Sequence, residues 1–245
     1  MQSPRALTLD LDDTLLDGEG LQESIDRVCT EIAAAHPTLD AEQLNVANAA
    51  VWEEYWVESA AADWCLGRIE SSAFSMEGWR RTLLACGCTD AIVVKEATDL
   101  YREIAHQAHR LYDDVLAFLD LLVESNTPIA LITNGASDIQ REKLGVLQIE
   151  DRFVAVVVSA ELGAAKPDVL PFQAAVLALG CESADVWHVG DNLSADVAGA
   201  QRAGLESVWL NRHGRVRAAG DPEPDLEVGS LAELAAILQE YRSET

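Results

Sequence analysis

The sequence predicts an α/β fold, a parallel sheet covered by helices on both faces and interrupted after its first strand by an all-helical insertion. Three observations lead to this prediction. A short apolar run begins at Leu7 and ends in acidic residues, as a buried parallel strand does at the edge of a sheet. Apolar residues then recur at helical spacing up to about residue 110. From residue 115 onward, strand-like and helix-like segments alternate, which is typical of a parallel sheet.

Four helices are predicted in the insertion. The first contains Leu21, Ile25, Val28 and Ile32 on one face and ends before Pro37. The second helix is predicted to begin at a capping box of Asp40 with Gln43, the third near Met76 and the fourth near Ala91.

The chain is predicted to return to the core near Arg110. Residues 1–16 and 110–245 then form a discontinuous α/β core, and residues 17–109 form an inserted helical domain. The later core elements are predicted as helix 115–124, strand 129–132, a helix through Lys143 that ends at Gly145, strand 154–158, helix 170–179, strand 186–189, helix 195–203, strand 207–210, and a final helix opened by a capping box of Ser230 with Glu233.

The composition is that of a folded, strongly acidic protein. Hydrophobic residues make up 49% of the chain, and the net charge is -25. This charge disfavours nucleic acids and anionic membranes as partners, and no apolar segment is long enough to span a bilayer. A cytoplasmic monomer or homodimer is expected. The acidity fits either a salt-rich cytoplasm or an ordinary acidic surface, and both interpretations stay open. The five cysteines are irregularly spaced and are expected to be mostly buried thiols.

Two groups of side chains in the insertion invite a functional interpretation. Trp52, Trp56 and Trp64 lie close in sequence, with Trp79 further on, but aromatic residues at such spacings favour packing between helices over a ligand cage. A second group, two histidines three residues apart, lacks a third metal ligand at useful spacing, which favours a solvated or structural pair. These are His106 and His109.

Polar residues follow four of the predicted strands. Asp10 and Asp12 lie two apart, so in extended backbone their side chains share a face. Two crowded carboxylates repel each other, and a divalent cation relieves that repulsion. Hydroxyl and backbone N–H groups suit an anion, and a lysine supplies a compact positive charge. The residues after the later strands are Thr133, Asn134 and Gly135; Lys166 and Pro167; and Gly190, Asp191, Asn192 and Asp196.

Taken in order, these four groups resemble the sequence motifs of the haloacid dehalogenase-like superfamily of hydrolases. The resemblance covers nearly the whole core, implies a Rossmann-like parallel sheet, and likens the inserted helices to the family's four-helix cap. Residues 140–144 and 208–211 look most like the branch that contains N-acylneuraminate-9-phosphatases and 5′-nucleotidases.

The resemblance implies a Mg²⁺-dependent phosphomonoester hydrolase for a small phosphorylated metabolite, either a nucleoside monophosphate or a sugar phosphate. It implies that Asp10 is the nucleophile, forming an aspartyl-phosphate, and that Asp12 is the general acid and base. Thr133 and the Asn134 backbone would hold the phosphoryl oxygens, and Lys166 would neutralise their charge.

The implied Mg²⁺ ligands are Asp10, Asp191 and the backbone carbonyl of Asp12. Asp196 would lie close by and orient either the metal's surroundings or Lys166. The cap would select the substrate, and the candidates for its inner wall are Trp52, Tyr55, Trp56 and either Arg68 or Arg80.

Three other functions stay open. A sugar phosphomutase shares the same core motifs. Haloacid dehalogenases of the superfamily lack an acid at the position of Asp12, because no alkoxide needs a proton there, so Asp12 favours phosphate esters. A catalytically silent scaffold could lose Asp10, yet Asp10 is present.

Overall fold

The computed structural model describes residues 2–57 and 59–243. Its sheet consists of β1 (Ala6–Leu9), β2 (Ile129–Thr133), β3 (Ala155–Val158), β4 (Val186–Gly190), β5 (Glu206–Leu210) and β6 (Leu226–Val228). All neighbouring strands run parallel, in the order β3-β2-β1-β4-β5-β6. The chain extends the sheet to one side of β1 and then to the other, and a crevice for ligands opens at such a reversal.

Helices account for most of the remaining described residues. Those of the insertion are α1 (Glu19–Ala35), α2 (Ala41–Val57), α3 (Ser59–Cys65), α4 (Ser71–Ala85) and α5 (Ala91–Ala108). Those of the core are α6 (Val115–Glu124), α7 (Ser137–Leu147), α8 (Ser159–Leu162), α9 (Val169–Leu179), α10 (Ala198–Arg202) and α11 (Leu231–Ser243). None of the helices formed by the described residues is long and apolar enough to cross a membrane.

Both faces of the sheet are covered, as predicted. Successive residues of a strand point to opposite faces, so Leu131 and Ile132 of β2 enter different cores. Leu131 packs in the cluster that contains Phe118 of α6 and Leu234 of α11, whereas Ile132 packs in the cluster that contains Phe172 of α9. Burial of each such side chain contributes about 1.5–3 kcal/mol. The α/β fold class is therefore confirmed.

The helical insertion has an apolar core of its own. Val28, Leu44, Trp79 and Leu83 are buried together where α1, α2, α4 and α5 meet. Trp79 also packs against Tyr101, with ring centroids 6.0 Å apart. Trp79 therefore packs between the inserted helices, as predicted, whereas Trp52, Trp56 and Trp64 lie on the surface of a cavity.

The chain enters and leaves the insertion at adjacent points. Leu16 and Leu111 form an antiparallel bridge. The Asp17 N–H donates a hydrogen bond to the Arg110 carbonyl at 2.9 Å, and Arg110 Nε donates to Asp17 Oδ2 at 2.7 Å. The two crossings thus lie side by side, next to the predicted boundary at residues 16 and 110.

Several element boundaries differ from the sequence predictions. The helix predicted to end at Gly145 continues to Leu147, because Gln148 takes the left-handed conformation (φ 54°) that ends it. The helix predicted from Ala195 begins earlier, as a π-helical segment (Leu193–Val197) that leads into α10. The helix predicted from Met76 begins at Ser71.

One short strand and two short α-helices were not predicted. Strand β6 has only three residues, and the helices α3 and α8 have seven and four. Periodicity needs more than two turns or several alternations to be recognised, so segments this short leave little signal.

Candidate active site

The carboxyl ends of the strands open into one cavity between the core and the helical insertion. Its volume is about 970 Å³, and six of the predicted site residues line its core side. These are Asp10, Asp12, Asn134, Lys166, Asp191 and Asp196. Thr133 is buried at the end of β2, behind this surface. The predicted convergence of the strand ends is therefore what the fold produces.

Lys166 links two of the acids. Its buried ammonium donates hydrogen bonds to Asp10 Oδ1 and, at 3.0 Å, to the Ile132 carbonyl, and it forms an ion pair with Asp196 Oδ1 at 2.7 Å. Burial alone would lower the pKa of Lys166, but the two carboxylates outweigh burial and raise it. Lys166 is thus a charged, fixed cation beside Asp10.

Asp196 lies buried in the π-helical segment that follows β4. It accepts a hydrogen bond from the Asn192 N–H at 2.9 Å and lies 3.2 Å from Nε2 of the buried His188. Burial opposes its ionisation, yet Lys166 and His188 together leave its pKa well below the usual value. A Cβ on Gly190 would lie 2.3 Å from Asp196 Cγ, so the glycine is needed for this approach.

Three carboxylates converge beside that cation. Oxygens of Asp10, Asp191 and Asp196 lie within 4.8 Å of one another. Burial, together with the charge of Asp196, raises the pKa of Asp10 well above its usual value, and that of Asp191 to about 6. The arrangement disfavours full ionisation, and a divalent cation would favour it. Hard oxygen donors suit Mg²⁺ or a similar ion, so the donor set fits a metal.

The Asp12 carboxylate is held by two side chains of α7. Lys143 Nζ donates to Asp12 Oδ1 at 2.6 Å, and Gln140 Nε2 donates to Asp12 Oδ2 at 2.8 Å. Burial alone would raise the pKa of Asp12, but Lys143 and the two hydrogen bonds outweigh it and lower that pKa. The side chain therefore contributes no oxygen to the acidic cluster, and only its backbone carbonyl is left for the expected metal contact.

The loop after β2 packs closely against neighbouring side chains at Gly135. Gly135 has φ 147°, and a Cβ there would lie 3.0–3.1 Å from atoms of Gln140 and Trp64. Its N–H donates to the buried Ser159 hydroxyl at 2.9 Å. The side chain of Asn134 bonds both the N–H and the carbonyl of Lys166, at 2.8 and 2.9 Å. The loop thereby fixes Lys166 relative to β2.

The insertion contributes an aromatic wall, formed by Trp52, Trp56, Trp64 and Phe74 on the cavity surface. Trp64 stacks on Phe74 with centroids 5.3 Å apart and contacts the loop at Gly135. Of the residues predicted for this wall, Trp52 and Trp56 line the cavity, while Tyr55 is buried behind it.

The arginines predicted for this wall are not among the residues that line the cavity. Arg68 pairs with Asp63 at 3.1 Å, and Arg80 pairs with Glu77 at 2.6 Å. An intrahelical or neighbouring acid is within easy reach of each guanidinium, which explains why they face elsewhere. The predicted choice between Arg68 and Arg80 was therefore wrong.

His106, on α5, and His109, which directly follows that helix, have different surroundings. His106 Nδ1 lies 2.7 Å from Glu142 Oε1 of α7, and burial lowers the pKa of His109. Among the described residues, the only group of acids, histidines and cysteines close enough to share a metal is the triad of Asp10, Asp191 and Asp196.

Sequence reasoning assigned no role to several residues that shape the site. Gln140 and Lys143 belong to α7 and do not follow a strand, Ser159 begins α8, and His188 lies inside β4. The sequence signal that could have identified them is a polar residue at a position where an apolar one is expected. His188 in particular interrupts an apolar strand, where an imidazole needs a partner.

Comparison with known proteins places this geometry in a family. The family model of haloacid dehalogenase-like hydrolases matches residues 4–204. The phosphoserine phosphatase of Thermus thermophilus is 34% identical over 189 residues, which cover 76% of this chain and 72% of that protein. The N-acylneuraminate-9-phosphatase of Mus musculus is 34% identical over 154 residues, and the match spans 62% of each chain.

Among solved structures, that of the HAD-hydrolase YfnB from Bacillus subtilis, bound to magnesium, shares the fold. Its TM-score is 0.75 at 22% sequence identity, over 97% of this chain and 99% of that one. The family model covers most of the chain, including all the residues that line the core side of the cavity. The chain belongs to the haloacid dehalogenase-like hydrolase family.

Proposed function

We propose that this protein is a Mg²⁺-dependent phosphomonoester hydrolase that acts through an aspartyl-phosphate. The observation that carries the proposal is the pairing of Asp10 with the buried ammonium of Lys166, next to Asp191 and Asp196, at the floor of a large cavity. Relatives that are named phosphatases support the reaction class.

In this proposal, Asp10 attacks phosphorus. An ionised carboxylate needs no base to activate it, so the requirement is neutralisation of the phosphate charge. Lys166 supplies a fixed positive charge and orients Asp10 by their hydrogen bond. The Thr133 hydroxyl and the backbone of Asn134 would hold phosphoryl oxygens, since both belong to the segment that ends β2 beside Lys166.

Asp12 would carry the protons. It would give one to the leaving oxygen as the ester bond breaks, and it would then take one from the water that hydrolyses the aspartyl-phosphate. A carboxylate that lines the cavity two residues after the nucleophile suits both steps. This same feature argues against a haloacid dehalogenase, which forms no alkoxide.

Mg²⁺ would be held by Asp10, Asp191 and the backbone carbonyl of Asp12, with Asp196 close by. When bound, it would neutralise the charge of the phosphate and of the acids around it. The raised pKa values of Asp10 and Asp191 support this assignment, because two acids that resist ionisation together become compatible once a cation lies between them.

We further propose that residues 17–109 act as a cap domain that selects a small phosphorylated metabolite. The cavity is closed on the insertion side by aromatic rings, among them the exposed Trp56. A monomer or homodimer in the cytoplasm is the proposed context. The described cysteines are all unpaired thiols, as expected for a reducing compartment, and the net charge of -25 disfavours nucleic acid as a partner.

The test is phosphate release with Mg²⁺ from nucleoside monophosphates, phosphoserine, N-acylneuraminate 9-phosphate, sugar phosphates and p-nitrophenyl phosphate. Release from at least one alkyl phosphate, abolished by EDTA and by Asp10→Asn, is the expected result. Interconversion of sugar phosphate isomers without release would identify a phosphomutase instead. Halide release from 2-haloacids would identify a dehalogenase, and inactivity of the folded protein on every compound would favour a scaffold.

A further inference from the structure

We propose that Gln140 and Lys143 are positioning residues that hold the Asp12 carboxylate in place to protonate the leaving group. The inference rests on the proposed phosphomonoester hydrolase function and extends it to two residues of α7. Neither residue contacts Asp10 or lies in the acidic cluster in the interactions described above.

Three hydrogen bonds close a ring around the carboxylate. Lys143 Nζ donates to Asp12 Oδ1 at 2.6 Å and to Gln140 Oε1 at 2.8 Å, and Gln140 Nε2 donates to Asp12 Oδ2 at 2.8 Å. Both carboxylate oxygens are therefore engaged from the same side. A carboxylate held at both oxygens cannot rotate freely about its Cβ–Cγ bond, and charge-assisted hydrogen bonds are the stronger kind.

The local sequence explains why both side chains reach Asp12. Gln140 and Lys143 are three residues apart on α7, so they lie on the same face of the helix. Gln140 is fully buried, and the Lys143 side chain is only 13% exposed. Burial of an amide and an ammonium is costly unless their hydrogen bonds are satisfied, and the ring satisfies them. Lys143 is also one of only three lysines in the chain.

Gln140 connects this ring to the phosphate end of the site. Its Nε2 also donates to the Thr133 hydroxyl oxygen, which leaves the hydroxyl proton available to an anion. One buried amide thus sets the position of the acid relative to the residue proposed to hold phosphoryl oxygens. The ester oxygen that leaves is bonded to the same phosphorus, so the two positions must match for proton transfer.

The chemistry of the first step predicts which substrates are affected when Asp12 is no longer held in position. In the first step a bond forms between Asp10 and phosphorus, the ester P–O bond breaks, and the leaving oxygen keeps the electron pair. An alkoxide needs a proton, so Asp12 must take one up from solvent when the substrate binds and pass it to the leaving oxygen. 4-Nitrophenolate is a stable anion and needs none. Because kcat/KM reports on this first step, only its value for alkyl phosphates depends on the position of Asp12.

The experiment measures kcat/KM for p-nitrophenyl phosphate and for the best alkyl phosphate of the panel, using Lys143→Met, Lys143→Arg and the matched control Lys95→Met. Lys95 is an exposed lysine of α5 that pairs with Asp99. Lys143→Met should lower the alkyl value at least about tenfold and the aryl value less than about threefold. Lys143→Arg should recover most of the loss, and Lys95→Met should change neither value.

A second variant, Gln140→Met, should reproduce the selective loss of kcat/KM with the alkyl substrate. It should also raise KM for both substrates, because it removes the hydrogen bond from Gln140 to the Thr133 hydroxyl as well. Equal losses with both substrates in Lys143→Met, or no loss with either, would overturn the inference while leaving the phosphatase function standing. If the unmodified protein hydrolyses neither substrate, the proposed function and this inference both fail. Near-normal p-nitrophenyl phosphate turnover in the variant shows that the site is still folded.

Discussion

The Ser159 hydroxyl donates a hydrogen bond to the backbone carbonyl of Cys65, 2.5 Å away, across the boundary between the core and the helical insertion. The same oxygen accepts a hydrogen bond from the Gly135 N–H. One buried side chain therefore connects the end of α3 to the loop that fixes Lys166. The position of the insertion and the geometry of the site are joined at this atom.

Ser159→Ala should disturb both the position of the insertion and the geometry of the site. It leaves the buried Gly135 N–H and the Cys65 carbonyl without this partner, so we expect the free energy of unfolding to fall by about 1–3 kcal/mol. We also expect a clear loss of kcat/KM. Denaturant unfolding and phosphatase assays test this, with Ser137→Ala as control, since Ser137 bonds the exposed Glu161. An unchanged kcat/KM in Ser159→Ala would contradict the connection.

Asp10→Asn should abolish activity without unfolding the protein. Loss of the nucleophile is expected to lower kcat by at least about a thousandfold. The amide of Asp10→Asn keeps the size of the side chain and an oxygen that can accept the hydrogen bond from Lys166, and Asp196 still pairs with that ammonium, so we expect the protein to stay folded. Near-normal turnover would refute the covalent mechanism, and loss of folding would show that the Asp10 charge is needed for stability.

Stability of the metal-free protein should depend on pH through Asp191. Its pKa is about 6 in the folded protein against 3.8 for an ordinary aspartate, so the folded state binds this proton more tightly. The contribution of Asp191 to the free energy of unfolding is therefore fully present below pH 3.8 and is lost as the pH rises through 6.

Mg²⁺ should reverse that loss. Thermal melts from pH 4 to pH 8, with EDTA or with Mg²⁺, should show a stabilisation by the metal that grows with pH as the carboxylates ionise. In Asp191→Asn both the decline and the effect of Mg²⁺ should be reduced. A metal effect of the same size at every pH would argue against this cluster as the site.

The exposed ring of Trp56 should contribute to substrate binding. It is 53% exposed and faces the cavity, where it could pack against a planar leaving group. Trp56→Ala is expected to raise KM for ring-bearing substrates several-fold, with little change for a small alkyl phosphate such as glycerol 3-phosphate. The exposed Val46 of α2, which is not on the cavity surface, provides a control as Val46→Ala.

Salt should stabilise the protein. With a net charge of -25, repulsion between surface carboxylates outweighs the ion pairs that salt also weakens. The melting temperature should therefore rise from low salt to about 1 M KCl. A flat or falling curve would also remove the salt-adaptation interpretation of the acidic surface.

The fold could be predicted from sequence because its signals are local. Apolar strands, glycines after helices and the capping residues Asp40 and Ser230 are each readable within a few residues. Both capping side chains accept the expected backbone N–H, but Glu233 bonds the Gly229 N–H where a full capping box would use that of Ser230. Gln148 shows the limit. A left-handed glutamine ends α7, whereas the nearby Gly145, the more usual signal, lies inside the helix.

The site was predictable only where its residues follow strands. The topology of a parallel sheet brings strand ends together, so Asp10, Lys166 and Asp191 could be grouped without coordinates. The contacts of Gln140 and Lys143 with Asp12 depend instead on how α7 rotates against the loop after β1. That rotation is set by packing across more than a hundred residues of sequence, and no local pattern records it.

The adjacent crossings at Leu16 and Leu111 make the insertion exchangeable. Its two ends meet at a single bridge, and the pairing of Leu9 with Leu131 in the sheet does not involve the residues between them. A helical unit whose ends meet at the same spacing could be grafted there without shifting a strand, provided that it also supplies an acceptor for the Ser159 hydroxyl. Recombining such units between relatives would be a direct way to give one hydrolytic core new substrates.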